Sequence, residues 1–434
     1  MEKRRARSLS RSLALGLVAL GALTPAPVWA HKPPVWVSQI GTTETDQYTH
    51  MSADALGNVY LVGSTWGCFE GDCRPDSFRD GWFAKFDPDG VLLWVRQVGN
   101  PGTSDDGDDQ AEAIAAATTG DVFVAGATNS DLAGQPIGDL DAWVGKYTAD
   151  GAPLWLRKYG TTEAEGVGSL VVDPQGNPVI TGLTWSRFAG RYHGSTDVFV
   201  AKLSATDGAI VWARQFGNAS ADNVNGVATD GAGNVFLVGD TGAALTGRYH
   251  GQDDAWIKKL SPAGLPLWQR QVGTDLRDGA TAVAADGNGD VFVVGYTLGC
   301  LSVHCPGGGD AWLDKYDGGD GHLLWRRQFG SPGYDEAAGA ATDAAGNIIV
   351  SGRTSGDFAG HNRGWDDAWV AVFTGDGRLL WRRQMGTSTL DQATAAADAG
   401  AGCVYVAGET WGSFGAPFVG GYGDAWAAKV CGED

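Results

Sequence analysis

Short runs of apolar residues separated by glycine-rich turns recur along the chain, and this spacing predicts β-strands rather than helices. Residues 94–151 show the pattern: WVRQVG, a loop, AEAIAAATTGDVFVAGAT, a longer loop and DAWVGKYTADG. Each unit supplies a small apolar run, then runs of the DVFVAG, DAWVGK and LLWVRQ types. Asn, Asp and Gly at the tight turns provide the positive φ angles of hairpins. Each unit therefore predicts four antiparallel strands.

The unit occurs seven times. A tryptophan opens each copy, and successive copies are 56 to 61 residues apart: Trp36, Trp94, Trp155, Trp212, Trp268, Trp325 and Trp381. Every copy also contains an Asp followed two residues later by Trp or Phe. A Gly-x-Thr with Phe or Leu four residues after the Thr is the third anchor. Three anchors kept in register through seven copies mark a modular array.

Seven four-stranded units predict an all-β fold, a seven-bladed β-propeller. The run of small residues belongs innermost, where the blades crowd around the axis. The chain opens with an outermost strand at 35–40 and ends with a third strand at 425–430, so the N- and C-terminal strands should share the closing blade. A solenoid is the competing repeat geometry, but its units are shorter and need polar caps, which the sequence does not show.

The signature G-x-x-x-x-D, D-x-x-G-N-V-Y-x-x-G-x-T, F and D-A-W-x-x-K resembles the bacterial β-propeller repeats known as the SBBP family. The resemblance covers essentially the whole mature chain. It implies a propeller fold and an exported location, and it implies no chemistry because the family has no common activity. The Phe-Pro that usually follows the Gly-x-Thr is missing, which makes this chain a tryptophan-rich version.

Residues 1–30 have the pattern of a secretory signal peptide and precede a single predicted propeller domain, residues 31–434. Five basic residues lead into the apolar run 13–23, and Val28-Trp29-Ala30 offers a cleavage site after Ala30. The apolar run is too short to span a bilayer, and no other segment is a candidate. We therefore expect a protein secreted to the periplasm or the medium, without membrane insertion.

The formal net charge of the chain is -20, and removal of residues 1–30, with five basic residues and one acidic residue, takes it to -24. Such an acidic surface argues against nucleic acid or anionic membranes as partners. It is compatible with cations and basic partners, and solubility alone is enough to explain it.

Six cysteines in an exported chain predict disulfides. Two pairs bracket the same loop in the first and fifth units, and a third pair lies on neighbouring strands of the seventh unit. We predict the bonds Cys68–Cys73, Cys300–Cys305 and Cys403–Cys431. Cysteine pairs in distant blades cannot share one zinc ion, which argues against a metal site.

An acidic residue stands five positions after the WxRQxG glycine in six units, and an insertion in the second unit places Asp109 equivalently. The seven residues are Asp46, Asp109, Glu165, Asp222, Asp278, Asp335 and Asp391. They are predicted near the mouth of the central channel, just before the inner strand. Capping of a loop through backbone N–H groups explains their repetition in every blade. The alternative is a carboxylate-lined calcium site, although no EF-hand or RTX-type spacing is present.

Aromatic residues outside the repeat anchors are candidates for ligand binding. Four tryptophans fall in the loops between the second and third runs: Trp66, Trp185, Trp365 and Trp411. Two of these loops contain the pentapeptide GRYHG, which supplies Tyr192, His193, Tyr249 and His250. Such side chains stack on sugars or anchor protein partners. The competing interpretation is a hydrophobic lid in which each tryptophan packs on the Phe or Leu of its loop.

No GxSxG, HExxH, P-loop or Rossmann fingerprint is present, so the sequence favours binding over catalysis. We expect an exported monomeric scaffold that binds an extracellular protein or glycan through the aromatic residues of its loops, with no cofactor indicated. The alternatives are a calcium-binding propeller and a secreted carbohydrate-active hydrolase or lyase with two catalytic carboxylates.

Overall fold

The computed structural model describes residues 33–69, 78–99, 107–303 and 305–432. These residues form 28 β-strands in seven four-stranded antiparallel sheets arranged as a ring, with no helix among them. The predicted all-β, seven-bladed propeller is therefore confirmed. No helix in this part of the chain is long and apolar enough to cross a membrane. The predicted signal peptide, residues 1–30, lies outside the described residues.

The blades are numbered by their inner strands, and each runs from the inner to the outer strand. Blade 1 holds β2 (Asp46–Ala53), β3 (Val59–Thr65), β4 (Asp80–Phe86) and β5 (Leu92–Val98); blade 2 holds β6 (Asp109–Ala116), β7 (Val122–Thr128), β8 (Asp141–Tyr147) and β9 (Pro153–Tyr159). Blade 3 holds β10 (Glu165–Val172), β11 (Pro178–Thr184), β12 (Asp197–Leu203) and β13 (Ile210–Phe216); blade 4 holds β14 (Asp222–Thr229), β15 (Val235–Thr241), β16 (Asp254–Leu260) and β17 (Pro266–Val272).

Blade 5 holds β18 (Asp278–Ala285), β19 (Val291–Thr297), β20 (Asp310–Tyr316) and β21 (Leu323–Phe329); blade 6 holds β22 (Asp335–Thr342), β23 (Ile348–Thr354), β24 (Asp367–Phe373) and β25 (Leu379–Met385). Blade 7 holds β26 (Asp391–Asp398), β27 (Cys403–Thr410), β28 (Asp424–Cys431) and, as its outer strand, β1 (Trp36–Ile40). The predicted sharing of the closing blade by N- and C-terminal strands is thus confirmed.

Two of the three predicted disulfide bonds are present among the described residues. Cys403 and Cys431 lie directly opposite each other on β27 and β28 and are bonded. Cys300 and Cys305 are bonded within the β19–β20 loop of blade 5. The third predicted pair, Cys68–Cys73, includes Cys73, which lies outside the described residues.

The core lies between blades, where large aromatic side chains of the third strands are buried. Trp82, Trp143, Trp256, Trp312, Trp369 and Trp426 are fully buried, and blade 3 uses Phe199 instead. The aromatic residue after the Gly-x-Thr packs on this ring within its own blade, with Phe414 at 4.4 Å from Trp426 and Phe358 at 5.0 Å from Trp369 between ring centroids. In these two blades the second and third sequence anchors therefore contact each other in the folded chain.

The tryptophan that opens each repeat joins its blade to the next one. Trp212 Nε1 donates a hydrogen bond to the Pro262 carbonyl in the β16–β17 turn of blade 4, at 3.0 Å. The ring also packs over Gly264 of that turn, which has a φ of 72° and no room for a Cβ atom. Trp36, Trp94, Trp155, Trp268 and Trp325 make the equivalent hydrogen bond. The tryptophan thus recurs once in each repeat because each blade uses it to contact the next blade.

Candidate functional site

One end of the ring carries both the linkers into the inner strands and the long loops between second and third strands. The backbone N–H of the residue after the Gly-x-Thr donates to the linker of its own blade, as from Trp66 to Thr45 and from Trp411 to Leu390. We call this end the loop face, and we call the opposite end, with its tight hairpins, the turn face. The variable residues of the chain are concentrated on the loop face, where binding residues of rigid scaffolds are usually found.

The seven predicted acidic residues each begin an inner strand, and all are buried. In blade 7 the Asp391 carboxylate accepts hydrogen bonds from Thr387 N–H at 2.6 Å, Thr387 Oγ1 at 2.8 Å and Thr410 Oγ1 at 2.5 Å. Glu165 is bound in the same way by Thr161 and Thr184. These contacts tie the linker to the end of the second strand.

Burial raises the pKa of six of these carboxyl groups. It raises the pKa of Asp46, Asp109 and Asp391 to about 6, and it also raises the pKa of Asp222 and Asp335. Asp278 shows the same direction for the same reason. None of the seven is among the residues that line the channel cavity. Calcium binding by this ring stays a prediction.

A second set of acids, at the first position of every third strand, organises the long loops; these acids are buried except for the half-buried Asp80 of blade 1. In blade 6 the Gln384 side chain donates to Asp367 Oδ2 at 3.0 Å and to the Gly356 carbonyl at 3.1 Å. Its Oε1 accepts from the Phe358 and Ala359 N–H groups, both at 2.9 Å. We call this arrangement the glutamine clamp.

The clamp recurs around the ring with one exception. Gln39, Gln97, Gln215, Gln271 and Gln328 bind the equivalent Asp of their own blades. In blade 2 the position is Lys158, which donates to the Ser130 and Gly134 carbonyls and lies 3.8 Å from Asp141. The WxRQ glutamine, which the sequence presented only as part of a repeat, thus fixes the loop-face conformation.

Three aromatic rings cluster where blades 6 and 7 meet; Trp365 and Tyr422 are exposed, and Trp411 is half-buried. Trp365 N–H donates to the Thr389 carbonyl, and Trp411 N–H donates to the Leu390 carbonyl, so both residues are held on one linker. Their ring centroids are 6.1 Å apart, and Tyr422 lies 6.5 Å from Trp411. Trp365 is 70% exposed and Tyr422 is 74% exposed. The cluster therefore presents an accessible aromatic surface held by backbone hydrogen bonds.

Blade 1 carries aromatic residues at the same repeat registers as this cluster. Trp365 and Tyr422 both stand two residues before the Asp of the third strand, and Phe78 holds the same register in blade 1, where it is 37% exposed. Trp66 of blade 1 is covered by Arg79, whose guanidinium lies 5.2 Å from the ring centroid. We call these five residues, Trp66, Phe78, Trp365, Trp411 and Tyr422, the aromatic arc. The arc spans three consecutive blades.

The GRYHG loops of blades 3 and 4 share one internal geometry. His193 N–H and Nδ1 contact the Asp197 carboxylate, both at 3.1 Å to Oδ2, and His250 contacts Asp254 in the same way. The Tyr192 hydroxyl donates to the Ser195 carbonyl, and Tyr249 donates to the Gln252 carbonyl. Trp185, at the start of the blade 3 loop, is 41% exposed. These loops lie in different blades from the aromatic arc.

Sequence reasoning missed polar residues at the middle position of the Gly-x-Thr. Arg353 donates to Glu336 at 2.9 Å and to Asp366 at 3.3 Å, and Asp240 accepts from Asn223 and Asn225. Glu409 accepts from the Trp411 indole at 2.7 Å, and its pKa is raised by burial. The sequence feature that could have revealed these residues is that the middle position of the Gly-x-Thr differs between repeats, whereas the Gly and the Thr are the same in every repeat.

The inner strands enclose a channel cavity of about 410 Å³ lined mainly by small side chains. His50, Asn225, Thr281 and Thr394 supply polar groups to its wall, and burial lowers the pKa of His50 to about 4. On the turn face, Asp317, Asp320 and His322 are the one set of three described side chains close enough to share a cation. They are exposed or half-buried, and sequence analysis did not single them out.

The fold and its loop face define a seven-bladed β-propeller built from one repeat. Residues 35–70 and 211–245 match the family described as SBBP, beta-propeller repeat. The family model thus matches two stretches of the chain, in agreement with the resemblance of the sequence signature, and the fold is a seven-bladed β-propeller.

Among curated proteins, the chain is similar to the regulatory protein FlaEY of Caulobacter vibrioides, with 23% identity over 394 residues. The match covers 76% of this chain and 39% of that protein, so the chain spans about two fifths of the relative's length.

Solved structures show more distant likenesses. The β-propeller domain of the Trilobed protease from Pyrococcus furiosus is 8% identical, with a TM-score of 0.44 and coverage of 85% of this chain and 92% of that one. Quinohemoprotein alcohol dehydrogenase from Comamonas testosteroni is 12% identical, with a TM-score of 0.44 and coverage of 93% and 77%. At these scores neither structure carries an argument about function.

Proposed function

We propose that this protein is an exported binding scaffold that captures an extracellular protein or glycan on its loop face, with the aromatic arc as the principal contact. The observation that carries the proposal is the cluster in which the exposed rings of Trp365 and Tyr422 lie on either side of the half-buried Trp411. Large aromatic side chains supply most of the energy of many binding surfaces, and in a monomer they are otherwise buried.

The arc is separate from the aromatic residues that the fold requires. The buried rings of the third strands and the loop Phe residues pack on each other, as Phe69 does on Trp82 at 5.3 Å. Trp66 and Trp411 do not take part in those pairs, and the residues at the arc registers in blades 2 and 5 include Asp139, Asn129 and Gly308. Since the scaffold forms without aromatic side chains there, their presence in three adjacent blades favours a binding role.

Three further observations support the proposal. The disulfides Cys300–Cys305 and Cys403–Cys431 fit an oxidising, exported location. The relative FlaEY is named a regulatory protein, and a role through binding is compatible with that description. Arg353, Glu336 and Glu409 place hydrogen-bonding groups beside the arc, as glycan or protein recognition requires.

The test is a binding screen of the folded protein against a glycan array and an array of exported proteins, followed by affinity measurement for each hit. We expect Trp365→Ala and Trp411→Ala each to weaken binding by about tenfold or more. Leu324→Ala, at an exposed position on the outer strand of blade 5, is the control and should bind normally. Unchanged binding by a Trp365→Ala/Trp411→Ala double variant would refute the proposal, and unfolding of that variant would favour the lid interpretation.

A further inference from the structure

The loops of blades 3 and 4 form a basic patch on a strongly acidic protein. They carry Arg187, Arg191 and Arg248, all exposed, in a chain with a formal net charge of -20. Within the described part of the chain, none of these three side chains has an ion pair, a hydrogen bond or a ring contact. Unpaired guanidinium groups, each with five donors in a fixed fork, are suited to bind carboxylate or sulfate groups.

Three acidic residues at the ends of these two loops are already engaged. Asp197 and Asp254 are fully buried and accept hydrogen bonds from Gln215 and Gln271 at 2.9 Å. Asp253 pairs with Arg277 at 2.8 Å. None of these three carboxylates forms an ion pair with a loop arginine.

The two loops flank one uncharged linker. The end of the blade 3 loop bridges to the linker at Thr196 and Ala221, and the start of the blade 4 loop bonds to it from Gly242 N–H to the Ala221 carbonyl. The linker residues Asn218, Ala219 and Ser220 carry no charge. Because the GRYHG loops have the same internal hydrogen bonds, they present the same side chains twice, one seventh of a turn apart.

We propose that the twin loops bind an acidic polysaccharide, with Arg187, Arg191 and Arg248 contacting its carboxylate or sulfate groups and with Trp185, Tyr192 and Tyr249 contacting its sugar rings. This inference rests on the proposed binding function and specifies its ligand. It places part of the binding surface away from the aromatic arc. A polymer with a repeated anionic unit suits two copies of one motif at a fixed separation.

The charge distribution favours a narrow polyanion over a broad one. A membrane surface or a nucleic acid duplex would also meet the acidic remainder of the protein and would be repelled by it. A single polysaccharide chain can stay within the two loops. Half-buried tyrosine rings beside the arginines offer apolar faces for sugar rings, which a phosphate backbone alone would not use.

The experiment measures binding of the intact protein to polygalacturonate and to heparin, with dextran as the uncharged comparison, at several salt concentrations. We expect binding to at least one polyanion, weakening as salt rises, and no binding to dextran. Arg191→Ala/Arg248→Ala should weaken it about a hundredfold, at about tenfold for each charged contact. Arg378→Ala, which removes an exposed arginine on the turn face, is the matched control and should bind as the unaltered protein does.

Several outcomes would overturn the inference. These are the absence of binding to both polyanions, equal weakening by Arg378→Ala, or tighter binding to phosphatidylglycerol vesicles or duplex DNA than to either polysaccharide. If a partner is still captured in a Trp365-dependent way, the twin-loop inference alone has failed. If no partner is captured at all, the proposed function has failed with it.

Discussion

Replacement of Gln384 by leucine tests how much the glutamine clamp contributes to the fold. Leucine has a similar volume but neither donates nor accepts, and Gln384 is buried. Four hydrogen bonds are lost, to the Phe358 and Ala359 N–H groups, the Gly356 carbonyl and the Asp367 carboxylate. Net contributions of about 1 kcal/mol for each neutral bond and about 2 kcal/mol for the charged one give a loss of about 5 kcal/mol.

For a ring of roughly 400 ordered residues, a loss of this size corresponds to a fall in melting temperature of about 6 °C. Urea unfolding followed by tryptophan fluorescence, together with calorimetry, measures both quantities. Gln384→Lys is the informative comparison because blade 2 uses Lys158 at this position. Lysine restores the donors but not the acceptor, so we expect about half the loss. A cost below about 1 kcal/mol for Gln384→Leu, or an equal cost for both variants, would refute this account of the clamp.

Two other predictions concern the disulfide and the buried acids. Cys403→Ser/Cys431→Ser should lower the free energy of unfolding by about 3–4 kcal/mol, since the bond closes a loop of 28 residues; unchanged urea midpoints would contradict this. Because burial raises the pKa of Asp46, Asp109 and Asp391 from 3.8 to about 6, the folded state binds protons more tightly than the unfolded chain. The stability that these groups contribute should therefore rise as pH falls from about 7 to about 4 and be lost as pH rises through 6, and melts showing the opposite trend would disprove it.

The architecture could be predicted because every blade requires the same types of residue at the same positions. Small side chains near the axis, tryptophans between blades and glycine-containing hairpins recur in register, so pattern alone located the strands and the closing blade. Cys403 and Cys431 were paired correctly because β27 and β28 had to be neighbours.

The loop face was less predictable because it depends on side-chain contacts that the repeat does not encode. In the sequence, Gln384 appears only as one residue of the repeated WxRQ pattern. Its partners Gly356 and Asp367 are 28 and 17 residues away. Trp66 and Trp365 are almost 300 residues apart in the chain, and only closure of the ring places their blades on either side of blade 7. The sequence showed that four loop tryptophans lie outside the repeat anchors. Only the fold showed that three of them belong to the aromatic arc and that Trp185 lies apart from it.

The pairing of β1 with β28 sets the order in which the molecule can be completed. Gln39 clamps Asp424, and Trp36 lies opposite Lys429, so the first strand of the ring and the last depend on each other across almost the entire chain. During synthesis or transport from the N-terminal end, residues 36–40 have no strand partner until residues 424–431 emerge. Contacts so distant in sequence form slowly. The sheet of blade 7 can therefore be completed only when β28 is available. Truncation within β28 would leave two strand edges, those of β1 and β27, open to pairing with other chains.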